Sequence, residues 1–123
     1  NMKHTIFTPV YNRAGNMLEL AKHISEIDYP KSRFEWLIID DGSTDNLSDV
    51  VSQIKATYTG IIIRSIHKKN GGIHTAQNCA IRNALGEYIT RIDSDDYLLP
   101  DCLKNYDKAL DSIPEKNRML LVL

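Results

Sequence analysis

Short apolar runs alternate with helix-spaced apolar positions along the 123 residues of this chain. Thr5-Ile6-Phe7-Thr8-Pro9-Val10 is rich in β-branched and aromatic residues and predicts a first strand, with Pro9 expected to stop ladder pairing near its end. Leu20, Ala21, Ile24 and Ile27 then recur at helical spacing, with Asn16 as the expected N-cap and Tyr29-Pro30 closing the segment. Phe34 to Ile39 is a second strand, and Leu47, Val50, Val51 and Ile54 mark a second amphipathic helix. Gly60 breaks the chain before a third strand at Ile61-Ile62-Ile63. A third helix is predicted over Thr75 to Leu85, and Gly86 sits where a left-handed C-terminal cap is expected. Tyr88 to Ile92 reads as a mostly buried fourth strand, Pro100 to Ser112 as a fourth helix with Leu103, Tyr106 and Leu110 inward, and Met119 to Leu123 as a fifth strand.

Strands alternating with helices at this pace predict an α/β fold, a Rossmann-like, mostly parallel sheet with helices on both faces. In such sheets ligands bind outside the carboxyl ends of the strands. The polar clusters fall at those ends: Tyr11-Asn12-Arg13 after strand one, Asp40-Asp41-Gly42 after strand two, Lys68 to His74 after strand three, and Asp93 to Asp96 after strand four. The last strand ends on apolar residues with no cap or polar tail, which predicts a truncated domain.

Composition narrows the function. The chain is 42% hydrophobic with a formal net charge of -1, as expected of one globular domain over residues 1–123. Lys and Arg are scattered, so no basic face for a nucleic-acid backbone is expected. Cys79 and Cys102 lack zinc spacing and are too few for a disulfide framework. They read as reduced, half-buried thiols in a cytoplasmic protein. No apolar run is long enough to span a bilayer.

Asp93, Asp95 and Asp96 crowd three carboxylates into four positions. In extended backbone, residues two apart project to one side, so Asp93 and Asp95 are expected to point at a common volume. A hard divalent cation, Mn2+ or Mg2+, would relieve that repulsion, taking one or two carboxylates and leaving its other positions to water and substrate phosphates. A solvated acidic loop before the helix at Pro100 accounts for the same residues.

Thr8-Pro9-Val10-Tyr11-Asn12-Arg13, Ile38-Ile39-Asp40-Asp41-Gly42-Ser43-Thr44-Asp45, Asn70-x-Gly72-x-x-x-Ala76-x-Asn78 with Gly86-Glu87-Tyr88-Ile89, and Asp93-Ser94-Asp95-Asp96 occur in that order. Together they resemble the N-terminal, nucleotide-binding part of a family 2 glycosyltransferase with the GT-A fold. The resemblance spans nearly the whole chain. It implies a nucleotide-diphospho-sugar-binding domain that takes a nucleoside diphosphate sugar, usually uridine-linked, with a divalent metal. It further implies transfer of the sugar, with inversion, to a saccharide or lipid-linked acceptor, as in polysaccharide biosynthesis. Peripheral association of the full-length protein with the inner face of a membrane is compatible with it.

The resemblance carries donor contacts onto Thr8, Pro9, Tyr11, Asn12, Arg13, Asp41, Gly72, His74, Asn78, Asp93 and Ser94, and metal contacts onto Asp93 and Asp95. The chemistry agrees with these roles. Asp41 can accept the imide N–H of uracil, a donor cytosine lacks, while Tyr11 stacks on the base with Pro9 beside it. Asp93 is expected to face the ribose or the metal's water shell, and Asp95 to ligate the metal directly. No role is assigned to Asp96, and an N-cap alone would explain Asp45. The chain departs from the family pattern at Gln77, where Arg is usual, and at Ala80, where Gly is usual. His74, Lys69 and the backbone N–H groups of Gly71-Gly72 are expected to meet the phosphates instead.

Displacement at the anomeric carbon also needs a base for the acceptor hydroxyl. The family supplies it from its C-terminal half, and nothing in residues 1–123 matches it, so catalysis is expected to need further chain. Two other classes fit some of these features: a non-catalytic nucleotide-sugar-binding module, and a metal-dependent nucleotidyltransferase. The latter expects a Gly- and Lys/Arg-rich loop directly after strand one, which Tyr11 to Gly15 does not supply.

Overall fold

The computed structural model describes residues 1–114, and the strand expected at Met119 to Leu123 lies outside them. Strands β1 (His4–Val10), β2 (Phe34–Asp40), β3 (Ile62–His67) and β4 (Tyr88–Arg91) alternate with helices α1 (Ala14–Ser25), α2 (Leu47–Thr57), α3 (Ile73–Asn83) and α4 (Cys102–Asp111). All three strand pairings are parallel, in the order β3-β2-β1-β4. The chain winds outward from β1 to β3 and then crosses back to the far side of β1. Right-handed crossovers in opposite directions place their helices on opposite faces. Accordingly, α1 and α2 pack with Ile6, Trp36 and Ile38, whereas Ala76, Cys79 and Ala80 of α3 pack with Phe7, Leu37 and Ile39. Leu103 of α4 joins the first of these faces. The winding reverses between β1 and β4, where a crevice opens at the carboxyl edge.

Every residue of β2 from Phe34 to Ile39 is buried, including Glu35. Its carboxylate is met by Arg64 at 2.7 Å, by the hydroxyl of Thr5 at 2.7 Å and by the Leu85 N–H at 2.7 Å. A charge buried this deeply is tolerated because it is paired and hydrogen-bonded on both oxygens. The same group fixes where the chain leaves α3 and turns into β4.

Four local expectations are corrected. Pairing with β2 continues through Pro9 to Val10. Lys3 and Phe7 accept bonds from the β4 side, while His4 and Val10 bond toward β2. Pro9, two past Phe7, therefore aims its missing N–H to the side where β4 has already ended. Asn16 lies inside α1, and the free Ala14 N–H at the helix start donates to Asp45 Oδ2 at 3.0 Å. At the edge of the sheet, β4 is half-buried rather than mostly buried. Gly86 does not cap α3, whose C-cap is Ala84 in extended conformation, and its φ is not left-handed. Glycine is required there because a Cβ would stand 2.5 Å from the Thr5 N and 2.6 Å from the His4 carbonyl carbon. No helix among the described residues is long and apolar enough to cross a membrane.

At the opposite end of the sheet the His4 ring is fully buried. Its Nε2 lies 2.8 Å from Asp107 Oδ1 on α4, and the edges of Tyr29 and Tyr106 close around it. Asp107 also accepts Tyr29 Oη at 2.6 Å and pairs with Lys3 at 3.1 Å. Burial and then the Asp107 bond push the Tyr29 phenol up to about 12, so it stays a donor. Desolvation lowers the His4 pKa, outweighing the pull of Asp107 in the other direction.

Replacing Gly86 with Ala is expected to cost about 1–3 kcal/mol in urea denaturation, because backbone must move. Gly60→Ala, where a Cβ meets nothing within 4 Å, is the near-neutral control. Because the folded pKa of His4 is depressed, the unfolded chain takes up its proton first as pH falls below about 6.5. Stability from this residue is complete above that value and is lost below it. The urea midpoint should drop between about pH 7.5 and 5.5, and His4→Gln should flatten that slope.

Candidate functional site

Asp41 is the first residue past β2 and is 5% exposed. Its N–H donates to the Val10 carbonyl at 2.8 Å, extending the β1–β2 ladder by one rung. Its carboxylate then reaches across to the loop after β3. Oδ1 accepts Lys68 Nζ at 2.6 Å and the Gly71 N–H at 3.1 Å, and Oδ2 accepts the Gly72 N–H at 3.0 Å. The Asn70 amide donates to the Asp41 carbonyl at 3.0 Å. Burial alone would raise the pKa of Asp41, but the bonds from Lys68, Gly71 and Gly72 and the Lys68 charge outweigh it and hold the carboxyl below its ordinary value. The Gly71 and Gly72 N–H groups, expected to be open to a phosphate, are thus already bonded to Asp41. Gly42 is required twice over: its φ is 78°, and a Cβ would stand 2.6 Å from the Asn70 N.

The loop after β1 is clamped to the loop after β2 from both sides. Asn12 takes a left-handed φ of 53°, which its short polar side chain tolerates. Its Oδ1 accepts the N–H groups of Thr44 at 2.8 Å and Asp45 at 3.3 Å, while its own N–H donates to Ser43 Oγ at 3.0 Å. In return, Asp45 accepts the Ala14 N–H through Oδ2 and the Leu47 N–H at 3.2 Å through Oδ1. One carboxylate therefore satisfies orphan donors at the starts of both α1 and α2, where negative charge is also favoured. Tyr11 and Arg13 are held on either side of this clamp.

Past β4 the backbone does not stay extended. Asp96 N donates to the Asp93 carbonyl at 3.0 Å, and Asp93 N donates to Asp96 Oδ2 at 2.8 Å, closing a tight turn. That bond gives Asp96 the role sequence reasoning left open. Arg91 meets Asp93 with Nε at 3.2 Å. Asp95 is exposed and has no hydrogen-bond or ion-pair partner among the described residues.

These loops enclose a cleft of about 550 Å³ at the β1/β4 reversal, within the size range of small-molecule sites. Of the residues singled out from sequence, the structure brings Pro9, Tyr11, Arg13, Asp41, Gly72, Asp93, Ser94 and Asp95 to its wall. The ring of Tyr11 is 50% exposed, an apolar face left open in the cleft. Four others do not line it. Thr8 is buried with its hydroxyl accepting Trp36 Nε1 at 2.9 Å, Asn12 serves the clamp, and His74 and Asn78 lie exposed on α3. Val10, Asn70, Ile73 and Ala76 complete the wall; Val10, Asn70 and Ala76 belong to the sequence motifs but were given no contact of their own, and Ile73 was given none either. Lys68 was also missed. The signal for it was register: Asp40 pairs with His67 across parallel strands, which sets the next residues, Asp41 and Lys68, opposite one another.

Among the described residues no three His, Cys, Asp or Glu side chains converge as a ready-made metal cage. A cation that takes one or two carboxylates and completes its shell with water and phosphate fits what is present, with Asp95 unpartnered and Asp93 nearby on the same wall.

The sequence matches the family described as Glycosyl transferase family 2 over residues 5–115. It is 41% identical over 99 residues to a protein of Rickettsia felis named as an uncharacterised glycosyltransferase, covering 80% of this chain and 16% of that protein. The fold superposes on a mannosyltransferase from Pyrobaculum calidifontis in complex with GDP-Man and Mn2+, with a TM-score of 0.84 and 30% identity, over 88% of this chain and 32% of the other. It also superposes on residues 1–349 of Staphylococcus aureus TarS in complex with UDP-GlcNAc, with a TM-score of 0.81 and 30% identity, over 90% and 32% of the two chains.

Asp45→Ala should remove a cap from each of two helices and lower stability by about 1–2 kcal/mol in urea denaturation. Asp45→Asn, which keeps an acceptor oxygen, should restore part of that loss.

Proposed function

This chain belongs to glycosyl transferase family 2 and carries its GT-A fold, and from that premise we propose that it forms the donor-binding part of an inverting glycosyltransferase. The donor is a nucleoside diphosphate sugar, with uridine as the favoured nucleoside, bound with Mn2+ or Mg2+, and the acceptor is a saccharide or a lipid-linked sugar. The observation that carries this reading is the convergence of Tyr11, Asp41 and Asp95 on one cleft at the winding reversal.

The base stacks on the open face of Tyr11, beside Pro9. Asp41 accepts the ring N–H on the base's pairing edge, at N3 of uracil or N1 of guanine, a donor that the bare N3 of cytosine lacks. The nucleotides of the two solved relatives, UDP-GlcNAc and GDP-Man, both carry such an N–H. Asp93, tied to Arg91, faces the ribose side, and Asp95 holds the cation. When bound, the metal offsets charge growing on the diphosphate as the sugar leaves. The chain's own contribution is to position the donor and keep Asp41 ionised as an acceptor.

A general base for the acceptor hydroxyl is assigned to the part of the full-length protein outside residues 1–123. Glu87 stands just before β4, at the end of the sheet opposite the cleft. A cytoplasmic site of action accords with the free thiols of Cys79 and Cys102.

Calorimetric titration of the full-length protein with UDP and Mn2+ tests the site. Asp95→Ala should weaken Mn2+-dependent UDP binding by at least about tenfold, the scale on which even a metal's outer partners matter. Its thermal melting should be unchanged, because the side chain is exposed and makes no hydrogen bond or ion pair among the described residues. Unaltered affinity would refute the assignment.

A further inference from the structure

We propose that Lys68 is a positioning residue for the nucleobase: from outside the cleft wall it fixes which lone pair of Asp41 faces the base, and so sets the preference for bases with a ring N–H at that edge. This rests on the reading of the cleft as a nucleotide-sugar site.

Lys68 Nζ makes three bonds, to Asp41 Oδ1 at 2.6 Å, to the Lys69 carbonyl at 2.6 Å and to Thr75 Oγ1 at 2.8 Å. An ammonium has three N–H donors, so all are committed inside the protein and none is left for a ligand phosphate. Thr75 in turn donates to the Gly72 carbonyl at 2.8 Å, which joins Lys68 to the start of α3. The side chains of Lys68 and Asp41 are only 19% and 7% exposed. A pair so largely removed from water holds its geometry far better than a surface pair.

An ionised carboxylate offers about four lone-pair sites. Lys68 and the Gly71 N–H occupy Oδ1, and the Gly72 N–H occupies one site on Oδ2. One acceptor position remains, on Oδ2, and Asp41 is part of the cleft wall. Two properties of that position depend on Lys68. The first is direction, because the terminal torsion of Asp is intrinsically broad and the ammonium pins one end of it. The second is acceptor-only character. A buried carboxyl stripped of its cation takes up a proton more readily and becomes able to donate. Asp41 could then donate its proton to the bare N3 of cytosine, while its ionised form still accepts the ring N–H of uracil. Lys68 thereby acts on base choice without touching the base.

The test is calorimetry of UDP and CDP, each with Mn2+, on the full-length wild type, Lys68→Met, Asp41→Asn and the double variant, with melting curves as the fold control. The wild type should favour UDP over CDP by roughly ten- to a hundredfold, the discrimination expected of a hydrogen bond to a charged group. Lys68→Met should bring that ratio close to one, and should add nothing in the Asp41→Asn background if it works through Asp41. Should Lys68→Met fail to fold, Thr75→Val removes one partner of the ammonium, and its ratio must shift in the same direction. A wild type that binds neither nucleotide overturns the reading of the cleft itself. A wild type that discriminates while Lys68→Met, or Thr75→Val in its place, keeps the full ratio overturns only the role of Lys68.

Discussion

The buried carboxylate of Asp41 is the constraint on which the site depends. Its backbone closes the end of the β1–β2 ladder, and its side chain gathers Lys68 and the N–H groups of Gly71 and Gly72 from the loop after β3. Loops of this kind carry backbone donors that must find partners once they leave solvent. A single ionised group satisfies several of them and is itself kept charged by doing so. The arrangement is reciprocal: Asp41 orders the loop, and the loop decides which part of Asp41 remains available.

The second clamp, between Asn12 and the Thr44–Asp45 segment, works by the same logic between the ends of β1 and β2. Two helices begin there, and both macrodipole ends are met by one carboxylate. Tyr11 and Arg13 lie between residues that cannot shift without breaking several bonds. Backbone held in that way loses little further freedom when a ligand arrives, which favours affinity. The acidic turn after β4 is built differently. Asp93 is drawn to Arg91 and Asp96 is spent on the turn, which leaves Asp95 as the carboxylate with no competing partner among the described residues. Three neighbouring acids coexist because each has a different electrostatic environment.

How much of this was legible in sequence depends on the range of the interaction. Strand and helix order, the parallel sheet and the gathering of polar clusters at its carboxyl edge follow from periodicity, and among the described residues they appear in the expected order. What failed were inferences about which partner satisfies which group. Asn16 looked like the cap of α1 because it is the nearest polar residue of the right type, but the actual acceptor, Asp45, is 31 positions away. Gly86 looked like a helix terminator because glycine after a helix usually is one. Its real requirement is the approach of Thr5, 81 positions away. Gly71-Gly72 looked open to an anion because a helix N-terminus attracts one, and it does, but the anion is the protein's own Asp41. In each case the group that settles the matter lies about 30 positions or more away along the chain.

The two ends of the sheet also divide the work of stability and function. At the amino end, His4, Tyr29 and Lys3 converge on Asp107, and deeper in, Glu35 collects Thr5, Arg64 and Leu85. These networks lock α4 and the α3–β4 turn to the sheet. The carboxyl end uses equally dense bonding but leaves an acceptor position on Asp41, the face of Tyr11 and the carboxylate of Asp95 uncommitted. A site of this kind is preorganised in the physical sense: the costs of orienting dipoles and burying charge are met on folding, so ligand binding need not meet them again. The proposed selectivity rests on what the folded edge has left unsatisfied, because a ligand lacking the matching donor would leave a largely buried acceptor unpaired.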